Sequence, residues 1–178
     1  MWYEHNWKRY KEELIFLKGL LNACDHLSSA GERSIRLLPS ISETLRLRIQ
    51  KSLRPLQRQA NQTLNNLVLR APTGYGKTEA ALLWADANAL KKGEKISNRI
   101  FYILPYKSSI NAMYERMLEY FKSAELIGIL HSSSSYYLYT SNLEYKRLSS
   151  LYRKIFSPLK VTTPFQIMKA FLASASLK

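Results

Sequence analysis

The stretch Leu67-Val68-Leu69-Arg70-Ala71-Pro72-Thr73-Gly74-Tyr75-Gly76-Lys77-Thr78 constrains this chain more than any other, because an apolar run, a glycine-bearing turn and a helix start follow one another directly. That order is the one a phosphate-binding loop requires. Gly74 and Gly76 let backbone N–H groups curl around phosphate oxygens, and the N-terminus of the following helix adds its partial positive charge at the same spot. Lys77 then neutralises the β- and γ-phosphates of a nucleotide. The Thr78 hydroxyl is the expected protein ligand of a Mg2+ ion bridging those phosphates.

From Leu67 onward, short apolar runs alternate with helical stretches, the mark of βαβ units and a parallel sheet. The spacing predicts strands over Leu67–Arg70, Arg99–Leu104, Leu126–Leu130 and Leu159–Thr162. Helices are predicted over Lys77–Lys92, Ser108–Lys122, Asn142–Phe156 and Pro164–Ala173, with a polar loop from Ser132 to Ser135 followed by Tyr136 and Tyr137. Upstream, Trp2 to about Leu38 reads as helix, since Leu14, Leu17, Leu20 and Leu21 recur at helical spacing. Gly31 to Ser42, with Pro39 and several serines, interrupts that pattern as a linker and sets a boundary near residue 40. A basic helix is expected from Ser42 to Lys51, ended by Arg54-Pro55, and a short one from Pro55 to Asn61 with proline in its first turn. The expected organisation is a helical segment over 1–40 and an α/β domain over 41–178, within reach of a single core for 178 residues.

Composition narrows the setting. No stretch approaches the roughly 18 uninterrupted apolar residues of a membrane span, and the start, MWYEHNWKRYKEE, has charges where an export signal needs an apolar run. A cytoplasmic location and no membrane partner are therefore expected. The single cysteine, Cys24, excludes an internal disulfide and a multi-cysteine zinc site. Twenty-seven Lys and Arg against 13 Asp and Glu leave a net charge of +14. Such an imbalance fits either a polyanionic partner or a solvated basic face, and the motifs must decide between them.

The motifs do so by resemblance. Ala71 stands where the general phosphate-loop pattern has glycine, and the form A-x-T-G-x-G-K-T, with Pro72, Thr73 and Tyr75 inside it, resembles superfamily 2 helicases. Arg54-Pro55-Leu56-Gln57 resembles the R-x-x-Q element that contacts adenine in those motors, where a glutamine amide reads a donor and an acceptor edge together. Leu104-Pro105-Tyr106-Lys107 through Met117 resembles their first nucleic-acid motif. Strand ends face the ligand in open α/β sheets, so Pro105, Tyr106, Lys107 and Asn111 are placed for a phosphodiester backbone. His131-Ser132 and Thr163-Pro164 stand at the next two strand ends, and Thr163-Pro164 resembles a further strand-tracking motif, while a lone histidine such as His131 is more often structural than catalytic.

The runs A-P-T-G-x-G-K-T-E-A-A, which includes Glu79, I-N-A-M-Y-E-R, L-H-S-S and V-T-T-P-F-Q-I-M-K-A-F together resemble the helicase module of CRISPR-associated type I interference nuclease-helicases, over Arg54 to Phe171. The resemblance implies a partial RecA-like domain of the P-loop NTPase class, ATP and Mg2+ as cofactors, and single-stranded DNA and an RNA-guided surveillance complex as partners. It implies Lys77 and Thr78 as catalytic residues, and an HD nuclease either fused or on a separate subunit. Ala23-Cys24-Asp25-His26 resembles the last helix of such a nuclease, where Asp25 would match a metal-site aspartate, yet the H-D doublet and the other ligands are not in the sequence. The acidic D-E-x-H motif and the second RecA-like domain with its arginines are likewise missing, which leaves nucleotide-binding parts without hydrolytic ones. Two functions follow: an ATP-dependent DNA helicase or translocase present as a fragment that is inactive alone, or a truncated or split module that binds nucleotide, DNA or the surveillance complex without turnover. Another P-loop enzyme, such as a kinase, fits the successive strand-end motifs less well.

Overall fold

A computed structural model of the chain describes residues 2–29, 31, 36–48, 52–91, 94–95, 99–141 and 156–175. Three parallel strands form its sheet: β3 (Ile100–Ile103), β4 (Ile127–Leu130) and β5 (Leu159–Thr162), in the order β3-β5-β4. The register pairs Ile100 and Ile127 with Leu159, and Ile103 and Leu130 with Thr162. The last strand in sequence is thus central, and all four of its residues are buried, whereas β3 alternates between half-buried and exposed positions. A short antiparallel ribbon, β1 (Leu90–Lys91) with β2 (Glu94–Lys95), lies before β3.

The described residues hold seven helices: α1 (Trp2–Ser29), α2 (Ile41–Arg48), α3 (Pro55–Gln62), α4 (Lys77–Asn88), α5 (Lys107–Phe121), α6 (Ser134–Ser141) and α7 (Pro164–Ala175). Parallel strands cannot be joined by tight turns, and α5 supplies the crossover from β3 to β4. It buries Ile110, Tyr114, Met117 and Phe121, a set spaced three or four apart that forms one apolar stripe. That stripe meets Leu82 and Leu83 of α4, Ile127 and Ile129 of β4, and Leu159 and Val161 of β5 in one core. Leu38, Ile41 and Leu45 belong to the same core. α2 is held to α4 by a buried carboxylate as well: Asp86 accepts hydrogen bonds from the Ser42 backbone N–H and hydroxyl, both at 2.9 Å.

The α3–α4 connection is pinned at its far end. The Trp84 indole donates to the Asn65 carbonyl at 2.8 Å, while Asn88 donates to the Thr63 carbonyl at 3.0 Å and accepts from the Asn65 N–H at 2.7 Å. Leu67–Arg70, predicted as the first strand, follows this anchor but joins no ladder among the described strands. Its burial still alternates, with Leu67 and Leu69 half-buried and Val68 exposed. A strand is defined by its neighbour, and the apolar rhythm alone does not supply one.

Other boundaries move for local reasons. The first helix stops at Ser29 rather than near Leu38, and residues 36–40 have no regular structure. The helix from Lys77 closes at Asn88 instead of Lys92, because Leu90–Lys91 enters the β1–β2 ribbon. The Ser132–Ser135 loop gives way to helix at Ser134, whose N–H bonds the His131 carbonyl at 3.1 Å. The predicted helix Asn142–Phe156 falls outside the described residues except at Phe156.

Leu83 has no exposed surface and sits where α4 meets the core. Leu83→Ala should cost about 2–5 kcal/mol through lost transfer energy and a cavity; urea unfolding followed by far-UV circular dichroism measures it, and a change below about 1 kcal/mol would mean α4 is not held this way.

Candidate functional site

The loop from Ala71 to Gly76 is built on two left-handed turns, at Gly74 (φ +78°) and Gly76 (φ +87°). At Gly76 side-chain freedom is forbidden twice over: the φ disfavours any L side chain, and a Cβ there would lie 2.4 Å from the Gln57 amide nitrogen. At Gly74 the space beside the backbone is open. The Lys77 ammonium, on the first residue of α4, donates to the carbonyls of Ala71 (2.8 Å) and Pro72 (2.9 Å), so the loop wraps its own cation. Thr78 and Glu79 follow and are buried, and Thr73 and Pro72 are exposed on the loop's rim.

α3 closes the loop from the other side. The Arg54 guanidinium donates to the Gly74 carbonyl at 3.0 Å and stands over the Tyr75 ring at 5.3 Å from its centroid. Gln57, 4% exposed, accepts from the Arg54 N–H at 3.0 Å and donates to the Gly76 carbonyl at 3.5 Å. An amide offers two donor hydrogens and two acceptor lone pairs, so each end keeps capacity for a further partner. Between these elements opens a cavity of about 600 Å³, lined by Arg54, Gln57, Thr73, Gly74, Gly76, Lys77, Thr78 and Glu79. Every one of these was singled out in the sequence.

Two lining residues were not: Ser52 and Arg116. Arg116 reaches the cavity from α5, where its guanidinium donates to Glu79 Oε1 at 2.5 Å and to the Tyr120 hydroxyl at 2.7 Å. The Tyr120 hydroxyl in turn donates to the same Glu79 oxygen. Burial works to raise the Glu79 carboxyl, yet the hydrogen bonds from Tyr120 and its own backbone, with the Arg116 charge, hold it below the usual value. Burial and the Glu79 contact push the Tyr120 hydroxyl up to about 12. No motif reports this triad, since its members lie 37 and 41 residues apart in the chain.

A second group gathers where the parallel strands end. Lys107 opens α5 after β3 and donates to the Ser133 hydroxyl at 3.2 Å. His131, buried at the end of β4, accepts the Ser133 N–H on Nδ1 at 3.2 Å. Its Nε2 lies 2.9 Å from Asn111 Oδ1. With Nδ1 accepting, the proton sits on Nε2 and is donated to Asn111. Burial first, and the Lys107 charge second, lower the His131 pKa and keep the ring neutral. Pro105, Tyr106 and Ser132 are exposed beside this cluster. Thr163 follows β5 and Pro164 begins α7, and among the described residues no hydrogen bond joins them to the His131 cluster. Asp25 stands apart on α1 with its side chain exposed. Among the described residues no three His, Cys, Asp or Glu side chains are grouped to hold a metal.

A phosphate loop at the start of a helix, a parallel sheet and polar clusters at its strand ends define a P-loop helicase unit. The family model for DEAD/DEAH box helicases matches residues 54–178, and the chain belongs to that family.

Its relatives are more particular. It is 34% identical over 125 residues to a putative CRISPR-associated nuclease/helicase Cas3 of Methanocaldococcus jannaschii, covering 65% of this chain and 17% of that protein. It is 31% identical over 171 residues to the CRISPR-associated nuclease/helicase Cas3 of Methanothermobacter thermautotrophicus, covering 88% and 19%. The chain thus spans less than a fifth of these curated relatives. The crystal structure of T. fusca Cas3-ADP shares the fold with a TM-score of 0.54 at 24% identity, over 87% of this chain and 19% of that one. T. fusca Cas3-ATP gives 0.52 at 23%, over 81% and 17%. The fold is a partial RecA-like domain, as the motifs implied.

Gly76→Ala tests the loop. It should lower the thermal midpoint and weaken nucleotide binding at least tenfold, because the loop must distort or Gln57 must leave; calorimetric titration with a nucleotide reads the effect, and parent-like affinity would refute the geometry.

Proposed function

We propose that the chain is the nucleotide-binding part of an ATP-dependent DNA helicase or translocase of type I CRISPR interference, with 1–40 as a helical segment at the end of an HD nuclease or its linker and 41–178 as the first part of a RecA-like domain. The observation that carries this reading is the cavity in which the glycine turns, Lys77, Thr78 and the Gln57 amide converge. The loop's N–H groups and Lys77 hold the β- and γ-phosphates, and Gln57, with Arg54 and Tyr75 beside it, reads adenine. In this arrangement Ala71, Pro72 and Thr73 shape the loop, and Glu79 braces its helix.

The site suits a shared Mg2+ ion, since Thr78 supplies one hard oxygen ligand at the cavity and Mg2+ takes few protein ligands alongside phosphates and water. Bound there, the ion would neutralise charge on the phosphates. Pro105, Tyr106, Lys107, Asn111, His131, Ser132, Thr163 and Pro164 line the strand ends where single-stranded DNA would pass, and the net charge of +14 favours that polyanion. An RNA-guided surveillance complex and an HD nuclease, fused or separate, complete the set of partners. A cytoplasmic location is part of the same proposal; among the described residues no helix is long and apolar enough to cross a membrane.

A second reading keeps the binding and drops the turnover, and the absence of a D-E-x-H motif from these 178 residues favours it for the isolated chain. Oriented water and added positive charge in the transition state are needed for fast hydrolysis, and an arginine finger alone contributes about a thousandfold or more. The 178-residue chain is therefore expected to bind ATP and single-stranded DNA, the latter less tightly as salt rises, but to release no phosphate under DNA stimulation.

Lys77→Ala should weaken ATP binding about ten- to a hundredfold, as for loss of a hydrogen bond to a charged group worth roughly 1.5–3 kcal/mol. Equal affinity in mutant and parent would remove the assignment, and DNA-stimulated phosphate release abolished by Lys77→Ala would overturn the non-hydrolysing account. Gln57→Ala should narrow the preference for ATP over GTP in competition titrations. An unchanged preference would make Gln57 a structural cap of α3 only.

A further inference from the structure

Nothing in the phosphate loop itself calls for Arg116, yet its guanidinium lines the same cavity from a different helix. α4 starts with Lys77-Thr78 and carries Glu79 in its first turn, while α5 starts with Lys107, bears Asn111 one turn on, and holds Arg116 and Tyr120 near its end. Lys107 and Arg116 are separated by about 14 Å of helix at 1.5 Å per residue. One rigid element therefore joins the strand-end cluster to the rim of the nucleotide cavity.

The Glu79–Arg116–Tyr120 ring exceeds what holding the two helices together demands. Leu82 and Leu83 of α4 and Ile110 and Met117 of α5 already belong to one core. The second Glu79 oxygen, Oε2, is buried with no hydrogen-bond partner, and a half-satisfied buried network is worse for stability than an apolar contact. Arg116 is also the accessible member: its side chain is 44% exposed against 9% for Glu79. Its bonds to Glu79 and Tyr120 occupy two of five guanidinium donors. A polyphosphate entering the cavity competes for the rest, since guanidinium matches phosphate in charge and fork geometry.

We propose that Glu79, Arg116 and Tyr120 are positioning residues that clasp α5 to α4, so that nucleotide in the cavity, by drawing on Arg116, changes how Lys107 and Asn111 are presented to single-stranded DNA. This rests on the reading of the cavity as an ATP site and of the strand ends as a DNA site. The clasp has two arrangements, with Arg116 committed to Glu79 or shared with phosphate, and each ligand biases which is held. Coupling of that kind is reciprocal between the two ligands and typically amounts to a 5- to 150-fold change in affinity, about 1–3 kcal/mol.

The test uses the whole 178-residue chain, a fluorescent oligothymidine and a non-hydrolysable ATP analogue with Mg2+. Anisotropy gives the DNA Kd with and without saturating analogue, and separate titrations give each ligand's affinity alone. In the parent the two DNA Kd values should differ at least fivefold. In Tyr120→Phe, which removes only the bridging hydroxyl, the ratio should fall to within about twofold of one while the affinity for each ligand alone and the thermal midpoint stay close to the parent's. Arg116→Lys, which keeps the charge but not the fork, should collapse the ratio as well. Parent-like ratios in both variants overturn the clasp, as does a parent that binds each ligand but shows a ratio of one. A parent that binds neither ligand removes the site assignment beneath it, a failure distinguishable from loss of coupling alone.

Discussion

The contact between Gly76 and Gln57 is the constraint on which the rest of the site depends. The backbone must turn left-handed and pass within reach of a buried amide before α4 can begin, so there is no room for a side chain at that point. Once made, the contact fixes three things together: the direction of α4, the capping of α3 through the Gln57–Arg54 bond, and the enclosure of Lys77 by the carbonyls of Ala71 and Pro72. The far ends of the same two helices are locked through Trp84 and Asn88. The two helices that border the cavity are thus held at both ends by hydrogen bonds to backbone carbonyls, from Arg54 and Lys77 at the loop and from Trp84 and Asn88 at the far end.

The strand-end cluster has a different physical character. Parallel pairing puts the carboxyl ends of β3, β4 and β5 on one edge; His131 and Thr163 follow β4 and β5 at once, and α5 starts at Lys107 four residues after β3 ends. His131 is buried and neutral, with both ring nitrogens engaged, so it organises the cluster rather than adding charge. Lys107 is the exposed cation there, anchored on Ser133. The edge is ordered by hydrogen bonds at its base and left open at its rim, where Tyr106 is 70% exposed.

Much of this was legible because it is local. The glycine turn and the residues beside it follow from spacing alone, and the three ladder strands came within two residues of their observed ends because apolar runs bounded by turns mark buried strands. The phosphate-loop strand over Leu67–Arg70 was misjudged for the opposite reason: a ladder is a property of two segments, and one segment's pattern cannot report whether a neighbour stands beside it. Ser134 to Ser141 hid its helix because serines and tyrosines carry no amphipathic stripe. Arg116 stands at the end of a recognised run and Tyr120 one turn beyond it on the same predicted helix, but their contact with Glu79 is tertiary and long-range, with no periodic trace to follow.

The outward face of β3 carries a consequence of its own. Phe101 and Ile103 are about half exposed on a strand that forms one edge of the described sheet, an arrangement that invites strands of other molecules to add on. The cross-strand neighbour of Phe101 is Lys160, whose ammonium stands 5.5 Å from the centre of that ring. Burial and the nearby Arg99 push this ammonium down to about 8. Lys160 is itself buried on the central strand, so the proton it gives up in mildly alkaline solution changes the charge beneath the Phe101 ring and leaves the open edge to be guarded by other means.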